Sequence, residues 1–249
     1  LKQFNGCCFA DLDLKQQGVI EDFQLLFYII QPPTPERVKY DIFDRVNRGG
    51  TPLNKQEMRN ALYRGRCTRM LDKLCCSPEF LIATGRSINK ERMKDQYVVL
   101  RAMAFLMLHR GEFKDIPALQ YRGDIDDFLA RFMVYVNDNA PEKLIVDYEN
   151  LFIRCMQISY DLLGENGFRF SGNGIRRPIN MPLFEALSYL FSFVPEKIDY
   201  TWVSRLILDI ESVKEEFDDS RYFSGNIDST TSVSFRFDRM DKIINRIQL

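Results

Sequence analysis

The chain has 249 residues, 45% hydrophobic and 28% charged, an ordinary globular composition long enough for one large domain or two small ones. Its formal net charge of -1 excludes a strongly basic nucleic-acid footprint over the whole surface and leaves only local patches. It contains no run of about twenty apolar residues and no secretory signal pattern, so the expectation is a cytoplasmic protein without a membrane span.

The chain opens with Leu1 rather than Met, and its first twenty residues show no complete element of their own. The expectation is therefore that an N-terminal portion precedes them. The six cysteines, at 7, 8, 67, 75, 76 and 155, include two adjacent pairs. Vicinal cysteines are poorly spaced for a tetrahedral zinc site, and a reduced state fits best.

The first element is a strand expected over Phe23 to Gln31, dense in apolar and aromatic residues and stopped by Pro32-Pro33. Thr34 is then a good N-cap, with Pro35 at the first helical position. The helix that follows puts Val38, Ile42 and Val46 on one face and closes at Gly49-Gly50. Asn54 and Glu57 form a capping-box pattern for the next helix, which turns Met58, Ala61 and Leu62 inward and stops near Gly65.

From there the sequence reads as helices. Ser77-Pro78 starts a short one, and 93–109 is long and broadly apolar from Val98 to Leu108, as a central helix would be. Phe128, Leu129, Phe132, Met133 and Val136 form one core stripe. Leu144, Tyr148, Leu151, Phe152, Cys155 and Met156 form another. Further stripes run Leu183-Phe184-Leu187-Leu190-Phe191, Val203-Leu206-Ile207-Ile210-Val213-Phe217 and Met240-Ile243-Ile244-Ile247. The segments 110–124, 166–180 and 219–232 read as loops or linkers. The second carries Arg169, Arg176 and Arg177 among glycines.

Several chemistries lack their residues. The single histidine, His109, would have to be the base of any His-Cys or Ser-His-Asp arrangement, so neither is easily built, and one histidine cannot supply both roles of a His-Asn-His centre. It reads as a helix C-terminal histidine next to Arg110. Neither GxxxxGK[ST] nor GxGxxG occurs. Asp124, Asp126 and Asp127 open a helix, where carboxylates suit the dipole better than they suit a metal.

The stretch "YIIQPPTPERVKYDIFDRVNRGGTPLNKQEMRNALYRG" resembles the N-terminal domain family of the GmrSD type IV restriction endonucleases, a ParB/sulfiredoxin-like group found in bacterial phage defence. The likeness rests on a strand like "FYII", a helix, and an FxxxN-GG-x-PL step formed here by Phe43, Asn47, Gly49, Gly50, Pro52 and Leu53. The stretches 92–105, 121–133, 176–187 and 235–247 resemble the helical continuation of short family members, so the resemblance covers nearly the whole chain. The family's Asp-Gly-Gln-Gln-Arg motif is absent, and "LKQFNGCCFADLDLKQQ" looks like the segment that follows it.

The resemblance implies a mainly α chain with a small β remnant. Residues 1–65 would be the C-terminal part of an incomplete ParB-like half that binds nucleotide or nucleic acid, and 66–249 a helical domain. It also implies a nucleoside triphosphate with Mg as the intact protein's cofactor, and DNA or an effector nuclease as partner. No catalytic residue is assigned within 1–249, and no nuclease activity is expected of the chain alone. The rival reading is a non-catalytic helical module that binds DNA or a partner and regulates a separate effector.

The turn Asn47-Arg48-Gly49-Gly50 admits two readings. It is a hinge between helices, or it is one wall of a phosphate site. In the second case glycines admit the phosphate, Asn47 donates and accepts, and Arg45 or Arg48 brings charge. Phe43 belongs to the same block, and Arg176 with Arg177 completes the candidate binding set. If the turn is a phosphate wall, Asn47→Ala weakens nucleotide or nucleic-acid binding by the full-length protein while the melting temperature barely moves. A variant that binds normally but melts lower leaves only a hinge.

Overall fold

The computed structural model describes residues 4–27, 29, 31, 38, 41–42, 45, 52–172, 176–195 and 200–247, with backbone alone at 200, 201, 221 and 247. It divides into two compact units, Leu1–Arg45 and Val46–Leu249. Among the described residues all regular structure is helical, and no helix is long and apolar enough to cross a membrane.

In the first unit, Asp13 caps helix α1 (Leu14–Glu21) by accepting from the Gln16 amide at 2.8 Å, and the Gln16 side chain answers to the Asp13 amide. The first twenty residues thus hold most of a helix that apolar patterning missed, because α1 buries no residue. The strand expected at Phe23 to Gln31 is not seen among the described residues of that stretch. Residues 23–27 are irregular, and Phe23, Leu25, Leu26, Phe27 and Ile29 are largely exposed. A dense apolar run forms a strand only where a neighbouring strand takes up its backbone groups. Val38, Ile42 and Arg45 are helical, while Thr34, Pro35, Val46, Gly49 and Gly50 lie outside the described residues.

The second unit holds nine helices among its described residues: α2 (Lys55–Leu62), α3 (Arg66–Cys75), α4 (Pro78–Ala83), α5 (Lys94–His109), α6 (Ile125–Asp138), α7 (Glu142–Leu163), α8 (Met181–Phe191), α9 (Tyr200–Asp219) and α10 (Thr230–Ile247). Their starts follow the sequence signals. Asn54 accepts from the Gln56 and Glu57 amides, and Glu57 returns to the Asn54 amide at 2.7 Å. Ser77 caps α4, with Pro78 at its first position. Asp124 caps α6 by accepting from the Asp126 and Asp127 amides.

Two helices are buried on every side. In α5, residues Val98 to Met107 are all buried, and in α8 so are Pro182 to Phe191. Helix α8 packs against α5, α7 and α10, while α3 covers α5 and α6. The predicted stripes on α6, α7 and α8 lie in this core, and Met240, Ile243 and Ile244 bring α10 to it. In α9 the stripe is narrower, with Leu206, Ile210 and Phe217 fully buried. The expected inward face of α2 is shifted. Ala61 is exposed, and Gln56 and Arg59 are buried beside Met58. Arg59 tolerates burial because it donates to Asp126 at 2.7 Å and to Gln56 at 2.9 Å, and lies over the Tyr97 ring at 5.3 Å.

The segments read as linkers are packed as well. Phe113 and Leu119 enter the core from the first, Phe168 from the second and Phe223 from the third. Cys67, Cys75 and Cys155 are buried and unbridged, and burial pushes the Cys155 thiol up to about 12, which makes it inert.

An ion network crosses this core. Glu185 of α8 accepts from Arg101 Nε of α5 and from Arg236 Nη2 of α10, the latter at 2.7 Å; the arginines are about 1% and 0% exposed, Glu185 0%. Arg101 also donates to Asp228 at 2.6 Å and to Tyr97 Oη at 3.1 Å, and Arg236 donates to the Ile227 carbonyl at 2.6 Å. Burial opposes the Arg101 charge, but Glu185 and Asp228 outweigh it and hold its pKa above the ordinary guanidinium value.

His109 ends α5 as the sequence indicates, and it is half-buried. Its ring stacks on Phe237 at 3.6 Å, and its Nε2 has no hydrogen-bond partner. Burial, reinforced by Arg236, lowers its pKa from 6.5 to about 3.

Two expectations follow. Glu185→Leu leaves two buried guanidiniums facing each other and costs about 3–5 kcal/mol in denaturant unfolding; a loss below about 1 kcal/mol contradicts the network's role. For His109, the folded state resists protonation, so the stability present above pH 6.5 is lost as pH falls towards about 3. The slope from this group is about 1.4 kcal/mol per pH unit. His109→Phe keeps the stack and flattens the profile in that window, and a variant profile parallel to wild type refutes the assignment.

Candidate phosphate-binding cleft

Of the residues singled out by sequence, Phe43, Asn47, Arg48, Gly49 and Gly50 lie outside the described residues. Arg45 is helical and exposed in the first unit. Arg176 and Arg177 lie in the second unit, in the segment that leads into α8, and they are brought together with Arg169.

The local chain explains the meeting. Helix α4 ends at Ala83, and Gly85 (φ +58°) and Arg86 (φ +52°) reverse the backbone through two left-handed residues. Glycine at 85 also leaves room for the ends of two side chains. A Cβ there lies 2.2 Å from Arg176 Nη2 and 2.8 Å from Glu165 Oε2, which pair with each other at 2.8 Å. The turn is tied down from the far side by Arg169. Its guanidinium donates to the Thr84 carbonyl at 3.3 Å, to Ser87 Oγ, to the Arg177 carbonyl and to the Glu165 carbonyl at 3.3 Å.

Arg169 is 4% exposed, and each of these acceptors is a neutral oxygen. Burial and then the neighbouring Arg176 charge lower its pKa from the ordinary guanidinium value, with Glu165 opposing. Arg177 pairs with Asp218 of α9, donates to the Ser171 carbonyl at 3.3 Å and lies over the Phe170 ring at 5.4 Å. Lys214 of α9 is buried and pairs with Glu211 at 3.0 Å.

Two cavities adjoin these arginines. The larger, 640 Å³, is polar and lined by Glu165, Arg169, Arg176, Arg177, Glu211 and Lys214, with Phe170 at its side. Its wall carries four cations and two carboxylates, so its field is positive even with Asp218 counted against Arg177. The second, 370 Å³, shares Arg169, Arg176 and Arg177, and its remaining wall is mostly aliphatic: Ile88, Val98, Pro178, Ile179 and Met181. Both volumes lie within the roughly 300–1,000 Å³ of small-ligand sites. Chemically the arrangement suits an oxyanion, since planar guanidiniums offer paired N–H donors and Lys214 a point charge.

The aspartates at the start of α6 serve structure. Asp126 pairs with Lys55 and Arg59; these two cations outweigh the burial that opposes its charge and hold its pKa below the usual carboxylate value. Among the described residues no group of histidine, cysteine and carboxylate side chains could hold a metal ion.

The sequence singles out Arg176 and Arg177 but not their neighbours Thr84, Gly85, Ser87, Glu165 and Lys214. Gly85 had a turn signal, a glycine shortly after a helix. Lys214 had none, because a lysine on an amphipathic helix reads as surface.

Gly85→Ala is expected to lower stability by about 1 kcal/mol or more from backbone strain alone and to displace the Arg176–Glu165 pair. Thermal unfolding measures the first, and an unchanged melting temperature contradicts the left-handed turn. No protein-family model, no curated protein and no solved structure matches this chain.

Proposed function

We propose that the unit Val46–Leu249 binds the phosphates of a nucleotide or of nucleic acid, as part of a bacterial phage-defence protein of the GmrSD type. The observation that carries the binding is Arg169. It is a buried cation neutralised by no carboxylate within hydrogen-bond reach, and it lines a cavity with a surplus of positive charge. Holding such a charge out of water is costly, and an anion that enters the cavity offsets part of the cost. The likeness of "FDRVNRGGTPLN" to the family step and of "RRPINMPLFEAL" to its helical continuation supports the reading of a defence protein. No residue here is given a catalytic role.

The rival is a non-catalytic module that docks on a partner and regulates an effector. It is favoured by the exposed Phe23, Leu25, Leu26 and Phe27 of the first unit, an apolar run that a partner could cover.

Inorganic tripolyphosphate and a short DNA duplex are the probes. Arg176→Glu with Arg177→Glu weakens binding of at least one of them tenfold or more and flattens its dependence on salt. Arg176→Gln with Arg177→Gln does the same to a smaller degree, and a thermal melt confirms that each variant is folded. Unchanged affinity across salt in folded variants refutes phosphate binding at this cleft.

A further inference from the structure

We propose that the aliphatic cavity beside Arg169 is a binding site in its own right, for a carboxylate carried on an aliphatic chain of about eight carbons. Such a ligand does not depend on phosphate binding in the polar cavity, and neither site needs the other.

Five aliphatic side chains wall this 370 Å³ space: Ile88 from the loop after α4, Val98 from α5, and Pro178, Ile179 and Met181 from the segment that enters α8. Val98 is buried, and Ile88, Ile179 and Met181 pack against the core, so the wall is anchored before any ligand arrives. The one neutral polar side chain on it is already occupied. Ser87 accepts from Arg169 and donates to the Thr84 carbonyl at 2.6 Å.

The remaining lining is cationic. Lys94, Arg169, Arg176 and Arg177 face this space, and none of its lining residues carries a carboxylate. Arg176 and Arg177 are neutralised from outside it, by Glu165 and Asp218. The other two are not. Arg169 is 4% exposed and meets only neutral oxygens. Lys94 has no ion-pair or hydrogen-bond partner among the described residues. It is also the first residue of α5, where the helix dipole opposes a cation.

An aliphatic wall edged by unanswered cations selects a ligand with both parts. A small inorganic anion leaves the wall wet, and a neutral hydrocarbon leaves Arg169 and Lys94 unanswered. A carboxylate matches the planar guanidinium fork. As a monoanion it also gives up less hydration on entering an aliphatic space than a phosphate dianion does. At the roughly 30 Å³ that one water occupies, the cavity holds about a dozen small groups, enough for octanoate and too few for a long-chain acid.

The experiment is calorimetric titration of the whole chain with butanoate, octanoate and dodecanoate below their micellar concentrations, and with octylammonium and octyl phosphate. It is repeated on Ile179→Trp and Ile88→Trp, which fill the cavity without removing a cation, and on Lys94→Glu. The last puts a carboxylate where the helix dipole favours one, so it is expected to fold, and melts check each variant. Octanoate is expected to bind tenfold or more tighter than butanoate, since each buried methylene adds about threefold. It is also expected to bind tenfold or more tighter than octylammonium, with dodecanoate no tighter than octanoate. A folded filled variant loses tenfold or more, and Lys94→Glu about fivefold. Affinity that ignores the sign of the head, or that climbs steadily to dodecanoate, marks adsorption to exposed apolar surface and overturns the site. Octyl phosphate binding more tightly than octanoate overturns the carboxylate. Undiminished octanoate binding in a folded filled variant or in Lys94→Glu, or no octanoate binding by the wild type, overturns the proposal outright.

Discussion

Glu185, held between Arg101 and Arg236 with no access to water, is the constraint on which the second unit depends. It joins the two fully buried helices, α5 and α8, and binds α10 to them through one carboxylate. Two cations against one anion do not balance, and Asp228 supplies the second negative charge from the loop before α10. The aromatic rings around the network do electrostatic duty too: Arg101 lies over Tyr97 at 5.5 Å, and Arg236 over Phe105 at 5.6 Å. A network of this kind adds little net stability relative to a packed apolar core, but its hydrogen bonds hold only while α5, α8 and α10 keep their register. That register is what the cleft needs. Helix α5 brings Lys94 and Val98 to the aliphatic cavity and α8 brings Met181, so fixing these two helices fixes three of its walls.

Arg169 repeats the theme on a smaller scale. It crosses from the segment after α7 to the turn after α4, and its hydrogen bonds close the gap between them. The left-handed pair Gly85-Arg86 is held in place by this contact from one side and by the Arg176–Glu165 pair from the other. The cations facing the polar cavity are therefore set before any ligand arrives. Arg176, Arg177 and Lys214 each rest on a carboxylate, so on the proposed reading an incoming anion would exchange with Glu165, Asp218 or Glu211 rather than meet bare charge. Such preorganisation reduces the ordering cost of binding and makes affinity sensitive to salt.

The helical architecture was legible in the sequence because apolar spacing reports a buried face directly. The stripes through Phe128–Val136 and Leu183–Phe191, the caps at Asn54, Ser77 and Asp124, and the central position of 98–108 can all be read from it. The buried charges were not legible. Arg59, Arg101, Arg169, Glu185 and Arg236 look like surface residues in any window, and their partners lie far along the chain: Arg101 meets Asp228 across 127 residues and Glu185 across 84. Periodicity carries no information about such pairs. The strand expected at Phe23 to Gln31 shows the converse limit, since apolar density supplies a reason to be buried but not the neighbour that buries it. Within the cleft, the adjacent Arg176 and Arg177 were visible as an exposed-looking pair in a glycine-rich loop. The closeness of Arg176 and Glu165 to Gly85 was not, because both arrive from a segment remote in sequence.

The most direct measurement of the central claim is a crystal of the chain soaked in tungstate, a heavy oxyanion that anomalous scattering locates without ambiguity. The account predicts an ordered tungstate in the polar cavity, within hydrogen-bond reach of Arg176 and of Arg169 or Lys214, with the Glu165 or Glu211 carboxylate turned away. A crystal in which tungstate orders only elsewhere, with the Arg176–Glu165 and Lys214–Glu211 pairs intact, contradicts it.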